Sequence, residues 1–180
     1  MPESPRHDAI DTERLRLTPH TSEQLLALIE RPDTYEQLAG FPAAEGLHEF
    51  FVSGEVSDAF MDSLRSIDGQ DPWRLGFAVV DPEVRVVVGS AGFKGPADAD
   101  GVVEIAYGIA PAFQGRGYAT EVARALIDFV REQSSARTIR AHTRPEPNAS
   151  TKVLGRCGFE FRGEVMDPED GRVWRWERNA

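Results

Sequence analysis

Residues 111–129 read PAFQGRGYATEVARALIDF, a glycine-bearing turn running straight into an amphipathic segment. Val122, Leu126, Phe129 and Val130 recur at helical spacing, so the segment after the turn reads as a helix with one apolar face. Just upstream, VVEIAYGI at 102–109 alternates as a strand does. The unit is therefore strand, tight turn, helix. Glycines in front of a helix reverse the chain, and they also gather unobstructed backbone N–H groups at the positive end of the helix dipole, which suits a phosphate. The spacing is neither the P-loop, which ends in Gly-Lys-Ser/Thr, nor G-x-G-x-x-G, so a nucleoside triphosphate or a dinucleotide is disfavoured. Between phosphate binding and plain turning, the spacing does not decide.

Working outward, WRLGFAVVD (73–81) and VRVVVGSAGFKG (84–95) are β-branched segments joined by the turn-like Asp81-Pro82-Glu83, an antiparallel hairpin. RLRLTPH (14–20) alternates as a first strand. Leu25, Leu26, Leu28 and Ile29 form a helical stripe with Ser22 as its expected N-cap, and a less regular helical region runs from about Leu47 to Leu64. Loops are expected around Pro32, Gly40 and Pro42. After the central helix come a strand, TIRAHT (138–143), a short helix starting near Asn148, and two last strands in GFEFRGEV (158–165) and VWRWE (173–177). The pattern is one mixed α/β domain over residues 1–180, with about the first 11 residues expected to be flexible.

With 41% hydrophobic residues the chain can bury a sizeable core, and a formal net charge of -10 argues against binding nucleic acid by bulk electrostatics. An acidic surface favours cationic partners such as amines. The single cysteine, Cys157, excludes an internal disulfide and a thiolate zinc cluster, in keeping with a reducing cytoplasm. MPESPRHDAIDTER at the start lacks the apolar core of a signal peptide, and no apolar run is long enough to span a membrane, so a cytoplasmic protein is expected.

Gln114-x-x-Gly117-x-Ala119 resembles the Q/R-x-x-G-x-G/A motif of the GNAT N-acetyltransferase superfamily, whose loop amides hold the pyrophosphate of acetyl-coenzyme A. TERLRL (12–17), VEIAYGIAPAFQGRGYATE (103–121) and NASTKVLGRCGF (148–159) resemble, in that order, the signature segments of the RimJ/RimL-like, ribosomal-protein acetyltransferase type. The resemblance implies a GNAT fold: a central mixed, mostly antiparallel sheet with helices on both faces and two strands splayed where the cofactor enters. It also implies acetyl-CoA as acetyl donor without a metal, a primary amine as acceptor, and homodimers among the expected assemblies.

The residues carry their own logic. Gln114 is placed to support the turn, while Gly115 and Gly117 let amides approach phosphate oxygens. Arg116 adds charge or is simply solvated. Ala119 allows a ligand close to the first helical turn, and Tyr118 packs against the cofactor or into the core. On the strand, Val103, Ile105, Tyr107 and Ile109 share one face; Glu104, Ala106 and Gly108 share the other. A carboxylate beside two small residues leaves room for a substrate, and an ammonium must lose a proton before it can attack a thioester. Glu104 is thus the candidate base, against the alternative of a paired or solvent-facing strand glutamate. The amide of Ile109, or one beside it where the strand is expected to splay, is the candidate donor to the thioester carbonyl. Asn148 and Ser150 are good helix caps; the resemblance implies that Asn148 contacts the pantetheine arm and Ser150 protonates the leaving thiolate. His142, at a strand end, suits proton transfer or a hydrogen-bonded structural role; it is read as the latter and left out of the candidate site. Cys157 is read as a small hydrophobe, and Trp174 and Trp176 as closing the core. The acceptor is not legible: Gly46 to Ile67 are the expected cleft lining, with Phe50, Phe51 and Phe60 read as core. The functions carried forward are an amine acetyltransferase working by direct attack in a ternary complex and, as the alternative, a non-catalytic acyl-CoA binding or sensing module.

Overall fold

In the computed structural model, which describes residues 7–52, 58–133 and 136–180, eight strands form one sheet. In chain order the elements are β1 (Ile10–Asp11), β2 (Arg16–Pro19), α1 (Ser22–Glu30), α2 (Pro32–Ala39), α3 (Leu47–Val52), α4 (Asp58–Ser66), α5 (Pro72–Leu75), β3 (Phe77–Asp81), β4 (Val86–Phe93), β5 (Val102–Ile109), α6 (Tyr118–Glu132), β6 (Thr138–Thr143), α7 (Ala149–Arg156), β7 (Glu160–Asp167) and β8 (Gly171–Asn179). The strand order is β1-β2-β3-β4-β5-β6-β8-β7, and the β5–β6 pair alone is parallel.

Alternation assigns the two faces. Phe77 and Val79 join Val103, Ile105, Ile139 and the apolar stripe of α6 (Val122, Leu126, Phe129, Val130) in the main core, which α7 completes through Val153 and Leu154. Ala78, Val80 and Val87 project to the other face, where Leu28, Tyr35 and Leu47 cover them. A third cluster joins α1 to α4 through Leu25, Ile29, Met61 and Leu64. Helices thus lie on both faces of the β2–β5 half, whereas α6 and α7 cover only one face of the half built from β6, β8 and β7.

Several boundaries differ from the sequence reading. Residues 32–39 form a helix instead of a loop: Pro32 at its start needs no N–H partner there, and Gly40, at φ 82°, closes it. Trp73 lies in α5, capped by Asp71, so the strand begins only at Phe77. The cap of α1 is Thr21, not Ser22, in a reciprocal box with Gln24. Ile10 and Asp11, expected to be flexible, pair with Leu17 and Arg16. The helical region from Leu47 is two helices, with 53–57 outside the described residues. Phe50 and Phe60 are 48% and 45% exposed and so are not core. Trp176 only flanks the main core, and both tryptophans pack against the half-exposed Phe161.

Candidate functional site

The site gathers around the C-terminal half of β5. Pairing with β6 covers only Val102–Glu104 against Thr138–Arg140, while pairing with β4 continues to Ile109. Beyond Glu104, β5 and β6 therefore part. The Lys94 amide donates to the Glu104 carbonyl (2.9 Å) and the Ala110 amide to the Val88 carbonyl (2.8 Å), so the even-numbered residues of β5 direct their main-chain groups to β4. By alternation, Tyr107 and Ile109 direct theirs into the gap. Gln114 Nε2 donates to the Ile109 carbonyl at 2.9 Å, fixing the turn to the end of the strand and leaving the Ile109 N–H facing the opening.

The turn itself needs glycine. Gly115 and Gly117 have φ of 75° and 81°, in the left-handed region where a Cβ is strained, and a Cβ on Gly115 would meet nothing within 4 Å. Gly117 is the N-cap of α6 and makes no side-chain cap, in contrast to Thr21, Asp71 and Asn148 at α1, α5 and α7. The first amides of α6 are thus free of intrahelical and capping acceptors. Arg116 folds back, donating to the Ala112 carbonyl at 3.2 Å with its guanidinium over the Phe113 ring. Tyr118 is committed elsewhere: its ring belongs to the core and its hydroxyl donates to the buried Asp81 carboxylate at 2.6 Å. Only its backbone is available to a ligand. Ala119 follows it, half-buried, in the first turn of the helix.

A clamp holds this turn from behind. Glu121 accepts from the Thr12 hydroxyl (2.6 Å), the Arg14 amide (2.7 Å) and Arg14 Nε (2.9 Å), and Arg14 Nη1 reaches the Arg116 carbonyl (2.8 Å). Burial alone would raise the Glu121 pKa, but these donors outweigh it and lower it. Neither Arg14 nor Glu121 stood out in the sequence, because the contact spans more than a hundred residues. The turn is flanked by two cavities, one of about 370 Å³ bounded by Glu45, Gly46, Glu49, Pro111 and Ala112, the other of about 440 Å³ beside Arg14, Gly117 and Thr120.

Glu104 lies on the opposite face of β5 from the core, next to exposed Ala106 and to Gly108, where a Cβ would run into the Phe50 ring. Phe50 therefore roofs this part of the strand. Glu104 is in company: Lys94 Nζ lies 3.3 Å and His142 Nδ1 3.0 Å from the same oxygen, Oε1. Oε2 has no protein partner among the described residues. Burial would lower the Lys94 pKa, but the charges of Glu104 and Asp170, the latter 3.1 Å away, push it up, so Lys94 is an ammonium. His142 Nε2 accepts from Arg175 Nε at 3.2 Å. Lys94 and Arg175 were not picked out from the sequence, and His142 was read there as structural; the even spacing of Arg140 and His142 in β6 was visible, but not that this face meets Glu104.

At the start of α7, Asn148 Oδ1 accepts from the Thr151 amide at 3.0 Å and Thr151 Oγ1 accepts from the Asn148 amide at 3.1 Å. Asn148 is thus a helix cap, its side-chain Nδ2 remaining for other contacts. The Ser150 hydroxyl, on a half-buried residue in the first turn, makes no side-chain hydrogen bond among the described residues. Cys157 is buried, as a small hydrophobe is. Among the described residues no helix is long and apolar enough to cross a membrane, and no group of three or more His, Cys, Asp or Glu is placed to hold a metal ion.

Residues 14–160 match the model of the acetyltransferase (GNAT) domain family. An uncharacterized N-acetyltransferase, p20, of Bacillus licheniformis is 29% identical over 96 residues, 53% of this chain and 54% of the relative. The chain spans about half the length of the curated relatives it matches. Among solved structures, the Salmonella typhimurium acetyl transferase that modifies the N-terminal serine of ribosomal protein L7/L12 superposes with a TM-score of 0.65 at 16% identity, over 96% of this chain and 99% of that one. A RimL L7/L12 α-N-protein acetyltransferase in complex with coenzyme A gives 0.64 at 15% identity, over 96% and 98%. At such identities these structures establish the likeness of fold alone.

Proposed function

The chain belongs to the GNAT acetyltransferase family, and on that premise we propose that it transfers the acetyl group of acetyl-CoA to a primary amine, a protein N-terminus or a small molecule, by direct attack in a ternary complex. One observation carries this reading: a carboxylate with a free oxygen stands on the strand that parts from its neighbour, beside a left-handed glycine turn at an uncapped helix N-terminus.

The amides of Gly115 to Ala119 and the dipole of α6 hold the pyrophosphate. Gln114 keeps that turn against β5, Arg116 contributes long-range charge, and the side-chain Nδ2 of Asn148 donates to a polar group of the pantetheine arm. Bound acetyl-CoA supplies the acetyl group as an activated thioester. The Ile109 N–H donates to the carbonyl oxygen that gains charge, a donor worth several kcal/mol in such sites, about 3 in measured cases. Glu104 takes the ammonium proton at Oε2, directly or through a water; the further proton that the nitrogen sheds as the amide forms passes by way of the Ser150 hydroxyl, which gives its own proton to the leaving sulfur and regains this one. Two of the structural neighbours act on ribosomal protein L7/L12, which makes a protein N-terminus one of the acceptors to try.

Two measurements test the reading. Acetyl-CoA is expected to raise the melting temperature saturably, with little effect from NAD or ATP. A screen of amines and N-terminal peptides that detects coenzyme A thiol is expected to find an acceptor. Cofactor stabilisation without thiol release from any amine favours the sensing module; no stabilisation at millimolar cofactor overturns both.

A further inference from the structure

We propose that His142 is a positioning residue: fixed by Arg175 with its proton on Nδ1, it holds one oxygen of Glu104 and so presents the other to the acceptor amine. The inference rests on Glu104 as the proposed base and deepens it.

The donor inventory settles the ring. A guanidinium Nε carries a hydrogen and cannot accept, so His142 Nε2, 3.2 Å from Arg175 Nε, is the acceptor of that bond. A neutral imidazole then carries its proton on Nδ1, which faces Glu104 Oε1 at 3.0 Å. The opposite tautomer would set two donors against each other at Arg175 and a lone pair against a carboxylate at Glu104. Arg175 therefore acts on Glu104 through a ring it touches only on the far side.

The surroundings leave His142 Nδ1 this one partner. Its side chain is 7% exposed; the charged groups against it are Glu104 on β5, Asp167 at the end of β7 and Arg175 on β8, with Lys94, after β4, reaching the same Glu104 oxygen and pairing in turn with Asp170. Asp167 Oδ2 lies 3.8 Å from Nδ1, too far for a hydrogen bond, because Asp167 Oδ1 is held by the Glu169 and Asp170 amides at 2.9 Å each. Those amides also lower its pKa, so it is a charged but tethered competitor. Lys94 Nζ lies 3.3 Å from the same Oε1, so both donors meet one oxygen of the carboxylate and Oε2 keeps no protein partner among the described residues.

The test has an arm that needs no turnover. Long-range nitrogen–proton NMR of the parent is expected to show His142 protonated at Nδ1 near neutral pH, and Arg175→Met, which removes the donor, to shift the ring toward a mixture of tautomers. A parent ring protonated at Nε2, or no change in Arg175→Met, overturns the proposal. The kinetic arm uses spermidine and a short peptide with a free N-terminal serine. His142→Leu is expected to lower kcat by up to about 100-fold with acetyl-CoA KM nearly unchanged. His142→Asn, whose amide nitrogen replaces the Nδ1 donor, is expected to stay within a few-fold of the parent. In a Glu104→Gln background His142→Leu should cost little more, because a residue that works through Glu104 cannot act additively with its loss. Full additivity, or His142→Asn as impaired as His142→Leu with both variants folded, overturns the proposal. If neither probe is acetylated by the parent, the acceptor assignment has failed and the tautomer measurement decides the inference alone.

Discussion

The two halves of the sheet face the same side of the molecule with opposite chemistry. On the face turned away from α6, the β3–β4 half presents Ala78, Val80 and Val87, sealed under α1, α2 and α3. The same face of β6 and β8 presents Arg140, His142, Arg175 and Glu177, paired with one another and with Glu104. The border runs along β5, where parallel pairing stops at Glu104. Apolar area sealed by helices is stabilising but offers no access; an uncovered face with satisfied charges adds little stability and is where a substrate can be met. The division of labour follows from which residues alternate inward on each strand.

The largest expected effect lies on the border. Glu104→Gln keeps size and removes basicity, so turnover at neutral pH should fall by roughly 10²–10⁴ with acetyl-CoA affinity almost unchanged, checked by steady-state rates and calorimetric binding. Parental rates would mean that the charged half carries no base. In the sealed half, Leu28 is fully buried over Ala78, Val80 and Val87. Leu28→Ala should cost about 2–5 kcal/mol in denaturant unfolding; a cost below about 1 kcal/mol would erase the contrast between the halves, since that is the scale of an exposed ion pair.

A smaller effect is expected at His20, also in the sealed half, 1% exposed and 3.1 Å from the Tyr35 hydroxyl. Burial lowers its pKa from 6.5 to about 4. The unfolded chain binds this proton first, so its contribution is complete above pH 6.5 and is lost as pH falls toward about 4, a change of about 3 kcal/mol. The stability difference between parent and His20→Leu should slope across that window and be flat above it; a slope that ignores the substitution assigns the acid loss to other groups. At the turn between the halves, Gly117→Val forces a β-branched residue to φ 81° with its Cβ 3.3 Å from Arg14 Nη2. A folded variant that has lost most of its affinity for acetyl-CoA is expected by calorimetry, at about 1–2 kcal/mol of backbone strain. The smallest effect belongs to the open face. Arg140 Nε and Nη2 bond Glu177 Oε1 at 2.9 and 2.8 Å with both side chains about a quarter exposed or less, and Arg140→Met should change stability by less than about 1 kcal/mol in unfolding experiments.

Local chemistry made much of this legible in the sequence. Strands and helices with a strict period were readable because each exposes one face to one environment, as in β5 and α6. The glycine turn was readable because few residues tolerate positive φ. The segment 32–39 was not, since its proline and glycine are breakers inside a helix but terminators at its ends. Trp73 looked like the start of a strand until the Asp71 cap drew it into a helical turn.

Within the candidate site, the turn, the face that carries Glu104 and the helix capped by Asn148 depend on residue types at short spacing and so could be read from the chain alone. That Arg14 clamps the turn, that Tyr118 belongs to Asp81, and that Lys94 and His142, the latter held by Arg175, converge on one carboxylate emerged with the packing of the sheet. Those partners come from separate strands, and their meeting depends on strand order and register, which no local period encodes.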